Sequence, residues 1–409
     1  MTPPIVIIGA GQTGGWAART LRQSGYEGRL LLIGDEPHPP YERPPLSKGL
    51  LTGSVTPEQT YLFEEADWDA LDVAFARGVR AVRINRQDRT IHLSDGDQVQ
   101  FQKLLMATGS RPRAIRVPGG NLPGVYYLRT LSDSLTLSAQ MRSQGRLLIV
   151  GAGWIGLEVA AAARKLGQEV IVVEAGTQIC SRAIDRVLSS YLASVHRSHG
   201  VDLRFGTSVL SFRGAGRIEA AQLTDGTEVE IIGAVVGIGA VPNSELAAEA
   251  GLAIENGIKV DEFGQTSDPD IYAAGDVASY PDSILGRRVR LESWENAQNH
   301  GIHTAKSMLG RTDGPYAQVP WFWSDQYDLN IQLVGLPSEW DRTVVRGTQE
   351  SDSFCICYMK DGLLQAAAGV NRAREIRILR RLILTRRAVD PDLLTNDAVR
   401  LDSLLQANR

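Results

Sequence analysis

Apolar residues along this chain gather in short unbroken runs that stop at glycine. Residues 5–15 read IVIIGAGQTGG and residues 147–157 read LLIVGAGWIGL. Each run reads as a strand, and each is followed by a segment that reads as a helix and closes at a glycine, Gly25 or Gly167. The two copies keep an offset of 142 residues throughout, from Gly9 to Gly151 as from Gly25 to Gly167, so matched βαβ openings are predicted twice. Further on the pattern changes. SFCICYM alternates, Asp361-Gly362 signals a turn and LLQAAAGV follows, which predicts a hairpin. NRAREIRILRRLILTRR then predicts a helix, with Ile376, Leu379 and Ile383 facing inward and Arg377, Arg380 and Arg381 sharing another side. The longest candidate for a membrane span, LLIVGAGWIGLEVAAAA, is interrupted by Gly151, Gly153 and Gly156 and carries Glu158. It falls short of the ~20 uninterrupted apolar residues that a crossing helix needs.

The two strand ends carry chemistry. Gly9-x-Gly11-x-x-Gly14 and Gly151-x-Gly153-x-x-Gly156 place glycine where a tight turn, a close approach of backbone N–H groups to a diphosphate, and helix–strand packing each require it. The diphosphate then sits at the positive end of the following helix. Trp154 and Ile155 fill the second loop, and Glu158 lies two positions past its last glycine, in the first helical turn facing an incoming cofactor. Each unit has an acid about twenty residues on: Asp35 and Glu36 in the first, Glu174 in the second. A carboxylate there accepts a bond from a ribose 2′-hydroxyl and repels a 2′-phosphate. Ala175 supplies no cation to offset that repulsion, so the second site is expected to prefer NADH, and Glu174→Arg to favour NADPH. Two dinucleotide sites in one chain fit a resident flavin and a visiting nicotinamide. Asp276, directly after Gly275 and the apolar run from Ile271, is a third element pointing to FAD.

Composition narrows the picture. At 409 residues the chain has room for two or three domains, and a net charge of −4 argues against a general nucleic-acid or anionic-membrane binder. The opening MTPPIVIIGAG leaves no room for a secretory signal, so a cytoplasmic location is expected. Cys180, Cys355 and Cys357 are too few for a disulfide framework or a four-thiolate iron–sulfur cluster. None of them follows the first nucleotide fold closely enough to form a thiol relay there, so electrons must leave a flavin directly. The histidine pairs His196/His199 and His300/His303 lack a third ligand nearby in sequence, so no metal site is expected.

Several further stretches carry a resemblance across essentially the whole chain: YERPPLSK (41–48), ATGSRPR (107–113), YLRTL (127–131), GIGAVPN (237–243), TSDPDIYAAGD (266–276), ESWENA (292–297) and PWFWSDQ (320–326). The chain resembles the FAD-dependent, NADH-oxidising ferredoxin reductases of bacterial oxygenase systems, including the reductase components of Rieske ring-hydroxylating dioxygenases. The resemblance implies an α/β fold with two Rossmann-like dinucleotide-binding domains and a C-terminal α+β domain. It implies a split FAD domain at 1–112 and 244–316, an NAD domain at 113–243 and a C-terminal domain at 317–409. FAD contacts would fall on Gly9, Gly11, Thr13, Gly14, Asp35, Glu36, Arg43, Lys48, Ala81, Arg129, Asp276 and Trp294. NAD contacts would fall on the loop Gly151–Gly156, Glu158, Glu174 and Gly239. Lys48 would tune the reduced flavin electrostatically. Trp321 or Trp323 would cap the isoalloxazine edge, its indole N–H meeting neighbouring polar groups.

The implied partner is an acidic [2Fe–2S] ferredoxin, Rieske-type or of the plant or adrenodoxin type, and through it a terminal oxygenase. The arginines of residues 371–387 would steer its docking. A rubredoxin- or cytochrome-directed reductase is the nearest alternative. An apoptosis-inducing-factor-like flavoprotein that binds DNA is a more distant one, and a pI near 5.9 weighs against it.

Overall fold

The computed structural model describes residues 2–336 and 339–405. The chain divides into two compact units. One comprises Met1–Arg43, Pro57–Arg111 and Ala240–Gln318; the other comprises Pro44–Thr56, Pro112–Gly239 and Val319–Arg409.

In the first unit a parallel sheet runs in the order Ile271–Ala273, Lys103–Met106, Ile5–Ile8, Leu30–Gly34, Ala74–Arg77. Both faces of its central strand are covered, which is why residues 5–8 are apolar without alternation. Ile5 and Ile7 pack with Ala17, Ala18 and Leu21 of the helix Gln12–Gln23 and with Ala305 and Met308 of the helix Trp294–Met308. Val6 and Ile8 pack with Ile84, Ile91 and Phe101 on the side of the antiparallel strands Ala81–Asn85, Thr90–Leu93 and Gln98–Gln100.

The second unit repeats this plan, and its first strand and helix keep the offset of 142 residues. Its parallel sheet runs Val201–Phe205, Glu169–Glu174, Arg146–Val150, Gly233–Val236, Val125–Tyr126. Leu147 and Ile149 share a core with Leu157, Val159 and Ala160 of the helix Trp154–Lys165. Leu148 and Val150 pack with Val209, Phe212 and Ala221 of an antiparallel layer. The repeat therefore extends to which face each side chain buries.

The rest of this unit is a five-stranded antiparallel sheet in the order Trp321–Gln326, Leu329–Gly335, Leu363–Val370, Ser353–Lys360, Arg342–Thr348. The expected hairpin is its 353–370 pair, and positive φ angles at Asp361 and Gly362 (51° and 75°) match the twist of a two-residue turn. The helix Ala373–Thr385 covers the sheet, with Ile376, Leu379 and Ile383 buried as expected.

Residues 44–56, counted with the first nucleotide fold in the sequence reading, group with the second unit. Ser134 and Ser138 of the helix Leu131–Gln140 donate to the carbonyls of Leu46 and Leu51 (2.7 and 2.9 Å), and Leu51 joins the core of Leu137 and Leu157.

Candidate active site

The two glycine loops divide the same labour. Gly9 and Gly151 hold φ of 110° and 100°, and a Cβ on either would press on a backbone carbonyl, that of Ala107 or Gly237. A Cβ on Gly14 or Gly156 would strike the carbonyl of Gly9 or Gly151. The middle glycines differ. Nothing lies nearer than 3.8 Å to a Cβ on Gly11, or than 3.9 Å to one on Gly153. That clearance beside a helix N-terminus is where a diphosphate fits.

Around the first loop, Thr13 is buried and its hydroxyl crowds Gly275. Gln12 is also buried, and neither its amide nitrogen nor its oxygen has a partner among the described residues, so a donor and an acceptor remain for a ligand. Asp276 accepts from Ser110 at 3.0 Å. Of the two acids, Glu36 is drawn into the site: it accepts from Tyr41 at 2.7 Å and from Arg43 at 3.3 Å, and Arg43 is also the nearest group to Gly11. Asp35 is exposed beside Arg80. Ala81 is buried at the start of its strand. Burial pushes the Glu42 carboxyl up, and the nearby Trp294 indole partly offsets this. This donor set, with an open diphosphate position and a spare buried amide, fits FAD.

Around the second loop, Glu174 is tied to the backbone. One carboxylate oxygen accepts from the N–H of Ala152 and the other from that of Gly176, both at 2.8 Å, so the acid braces the glycine loop itself. Arg182 is exposed, with its guanidinium 3.5 Å from where a Gly239 Cβ would stand. Trp154 packs on Phe322 with ring centroids 5.1 Å apart, and Ile155 is exposed. Glu174 as acceptor, Arg182 as cation and the clearance at Gly153 fit a nicotinamide dinucleotide.

Glu158 is the most constrained acid of this unit. It is 3% exposed, accepts from Ser324 at 2.6 Å and from Ser47, and pairs with Lys48 at 3.0 Å. The Lys48 ammonium also lies 5.9 Å from the ring centre of Trp323. Trp323 stacks on Trp321 (5.0 Å, 19°). Their indole N–H groups both have acceptors at 3.1 Å: Trp323 donates to Asp325 in the adjacent polar run, and Trp321 to Gln332 on the neighbouring strand. Of the two tryptophans, Trp323 is the one beside Lys48. Arg129 also lies in this unit, where its backbone N–H donates to Asp133. Gln12, Ser47, Ser110 and Ser324 lie inside the quoted stretches without being singled out there, and Arg182 lies in none of them. For the three serines the partner is far along the chain, Glu158 or Asp276.

Cys180, Cys355 and Cys357 are buried free thiols. Burial pushes the Cys180 thiol well up, helped by Glu174 and Glu158, which makes it a poor nucleophile. Among the described residues, no group of three or more His, Cys, Asp or Glu converges as a metal site, and no helix is long and apolar enough to cross a membrane.

Residues 3–301 match the family model for pyridine nucleotide-disulphide oxidoreductases, and residues 321–405 match the reductase C-terminal domain. Rhodocoxin reductase of Rhodococcus erythropolis is 42% identical over 95% of this chain and 91% of its own. The chain belongs to the pyridine nucleotide-disulphide oxidoreductase family. The p-cumate 2,3-dioxygenase system ferredoxin–NAD(+) reductase component of Pseudomonas putida is 39% identical over 97% of each chain. Among solved structures, putidaredoxin reductase in its covalent complex with putidaredoxin superposes with a TM-score of 0.96 at 36% identity, covering 99% of this chain and 98% of that one. This member of the family keeps the two nucleotide folds but has no cysteine before Cys180.

Proposed function

We infer that the protein takes electrons from NADH through FAD and delivers them singly to a [2Fe–2S] ferredoxin that feeds an aromatic-ring-hydroxylating oxygenase. The observation that carries this reading is the repeated glycine loop with its open middle position, in a chain without a thiol relay. FAD, when bound, accepts electrons pairwise as hydride and releases them one at a time, which suits a one-electron iron–sulfur acceptor.

In this reading the first unit holds FAD through Gly9, Gly11, Thr13, Gly14, Glu36, Arg43 and Asp276. The second unit holds NADH through Gly151, Gly153, Gly156, Glu174 and Arg182. Glu158 fixes the Lys48 ammonium, which offsets negative charge as electrons arrive. The stacked Trp321–Trp323 pair excludes water where the electrons depart. Arg374, Arg377 and Arg381 are exposed and available to steer an acidic ferredoxin. Arg372 is engaged by Asp397 and Glu375, and Arg380 donates to the Val319 carbonyl. The cytoplasm, where NADH is at hand and free thiols stay reduced, is the fitting compartment.

The test is an anaerobic titration followed by turnover. Purified protein should hold one FAD, bleach on addition of NADH, and reduce cytochrome c only when a ferredoxin is supplied. A protein that takes up no FAD, or whose cytochrome c reduction ignores ferredoxin, would refute the reading.

A further inference from the structure

Beyond Ser324, the hydrogen bonds of Glu158 continue in a single file within the second unit. Gln326 Nε2 lies 3.0 Å from Ser324 Oγ, and Gln326 Oε1 lies 2.8 Å from His196 Nε2. His196 Nδ1 lies 3.0 Å from the Tyr327 hydroxyl, and the Tyr327 ring stacks on exposed His199 at 3.6 Å. Ser324, Gln326 and His196 are each at most 1% exposed.

The carboxylate at the end of this file sets its polarity, because a carboxylate only accepts. Ser324 has one hydroxyl proton and gives it to Glu158, so its oxygen accepts from the Gln326 amide N–H. That orientation turns the Gln326 oxygen toward His196, whose Nε2 then carries the proton and whose Nδ1 accepts from Tyr327. Every donor points toward Glu158. Burial favours a neutral His196, holding it down at about 4, which leaves only the tautomer to be chosen. Tyr327 matches that tautomer by donating to Nδ1 from a left-handed backbone (φ 55°) in a hairpin turn, an unfavourable conformation for a tyrosine that the stack on His199 and the bond to His196 hold in place.

We propose that Gln326 and His196 are positioning residues for Glu158: His196 fixes the amide orientation of Gln326, so that the single proton of Ser324 is committed to the Glu158 carboxylate that carries Lys48. If Gln326 turned over, its oxygen would compete with Glu158 for that proton, and the carboxylate would lose one of its three partners. The proposal rests on the reading of Glu158 and Lys48 as part of the redox site.

Two measurements on the FAD-loaded protein test it. Nitrogen-15 histidine spectra should show a buried imidazole, neutral and protonated on Nε2, that stays so from neutral pH down to about pH 5. Gln326→Glu is near-isosteric but accepts only, and His196→Leu removes the donor. Each should slow anaerobic flavin bleaching by NADH roughly tenfold at unchanged FAD content. His196→Gln restores an N–H and should recover most of the rate, a rescue that mere space-filling does not give. Undiminished bleaching in folded Gln326→Glu and His196→Leu overturns the proposal. So does an Nδ1-protonated His196, which decides the matter if the variants fail to fold. If the unmodified protein is not bleached by NADH, the functional reading falls and takes the role with it, while the histidine tautomer stands by its own spectrum.

Discussion

Nucleotide choice should depend on Glu174 in a way that its double duty complicates. A 2′-phosphate placed where this carboxylate meets a ribose would face a like charge. At about 4 Å and an effective dielectric near 20 that costs about 4 kcal/mol per charge pair, or about 2 kcal/mol at a partly exposed position such as this one. NADH should therefore be preferred over NADPH by roughly thirtyfold in kcat/KM, and by more if the phosphate is fully ionised. Glu174→Gln removes the charge but keeps the shape. Its one carbonyl oxygen can serve only one of the two N–H groups, Ala152 or Gly176, and its amide N–H would confront the other. Losing one such bond costs about 1.5–3 kcal/mol, borne equally by both nucleotides. NADH efficiency should fall roughly ten- to hundredfold, while the NADH:NADPH ratio narrows by roughly thirtyfold. Glu174→Arg forfeits both loop bonds, so it should be poor with either nucleotide instead of a clean exchange of specificity. Steady-state kinetics with saturating ferricyanide read all three. If Glu174→Gln leaves the ratio where it was, the carboxylate does not meet the ribose.

Gly11→Ala should fold normally yet lose FAD affinity, whereas Gly9→Ala, with φ 110° and a carbonyl in the way, should unfold at markedly lower temperature; flavin content and thermal midpoints separate the two. His196 and His300 are held by burial at about 4 and about 3, below an ordinary unfolded value near 6.5, so unfolding takes up protons as the pH drops. Between about pH 6 and pH 4.5 stability should fall by about 1.4 kcal/mol per pH unit for each histidine, and a flat denaturation profile there would refute it. Ferredoxin-dependent turnover should drop steeply with salt while ferricyanide turnover holds. Charge reversal at Arg377 and Arg381 should raise the ferredoxin KM; an unaltered KM and salt slope would move the docking site elsewhere. Arg346, 3% exposed, pairs with Glu375 and donates to the carbonyls of Leu394, Asn396, Asp397 and Val399. Arg346→Met should cost about 3–5 kcal/mol and open the 390–400 segment to proteases.

What the sequence disclosed is what repeats or stays local. Residues 5–8 and 147–150 could be read as doubly covered strands because a parallel sheet leaves them no wet face, and the glycines at 9 and 151 because backbone sits against them. The hairpin at 353–370 was equally plain from alternation and one turn. The surroundings of Glu158 were not: Ser47 lies 111 residues before it and Ser324 lies 166 after it, and no periodicity links them. Glu174 was legible as an acid in the right place, but its bond to Ala152 depends on how two loops close in space. Gln12 was hidden for the opposite reason, since an unpartnered amide shows itself only once its neighbours are placed.

The detour of residues 44–56 bears on how this protein can be taken apart. A gene fragment beginning at Pro112 looks like a tidy module of nucleotide fold plus C-terminal sheet. It would nonetheless leave the Ser134 and Ser138 hydroxyls facing a void, Leu137 and Leu157 without Leu51, and Glu158 without Ser47 or its counter-ion. A chimera that exchanges this half between reductases must therefore transplant the separate thirteen-residue stretch 44–56 along with it, and a swap drawn at linear boundaries would pair one parent's lysine with the other's glutamate.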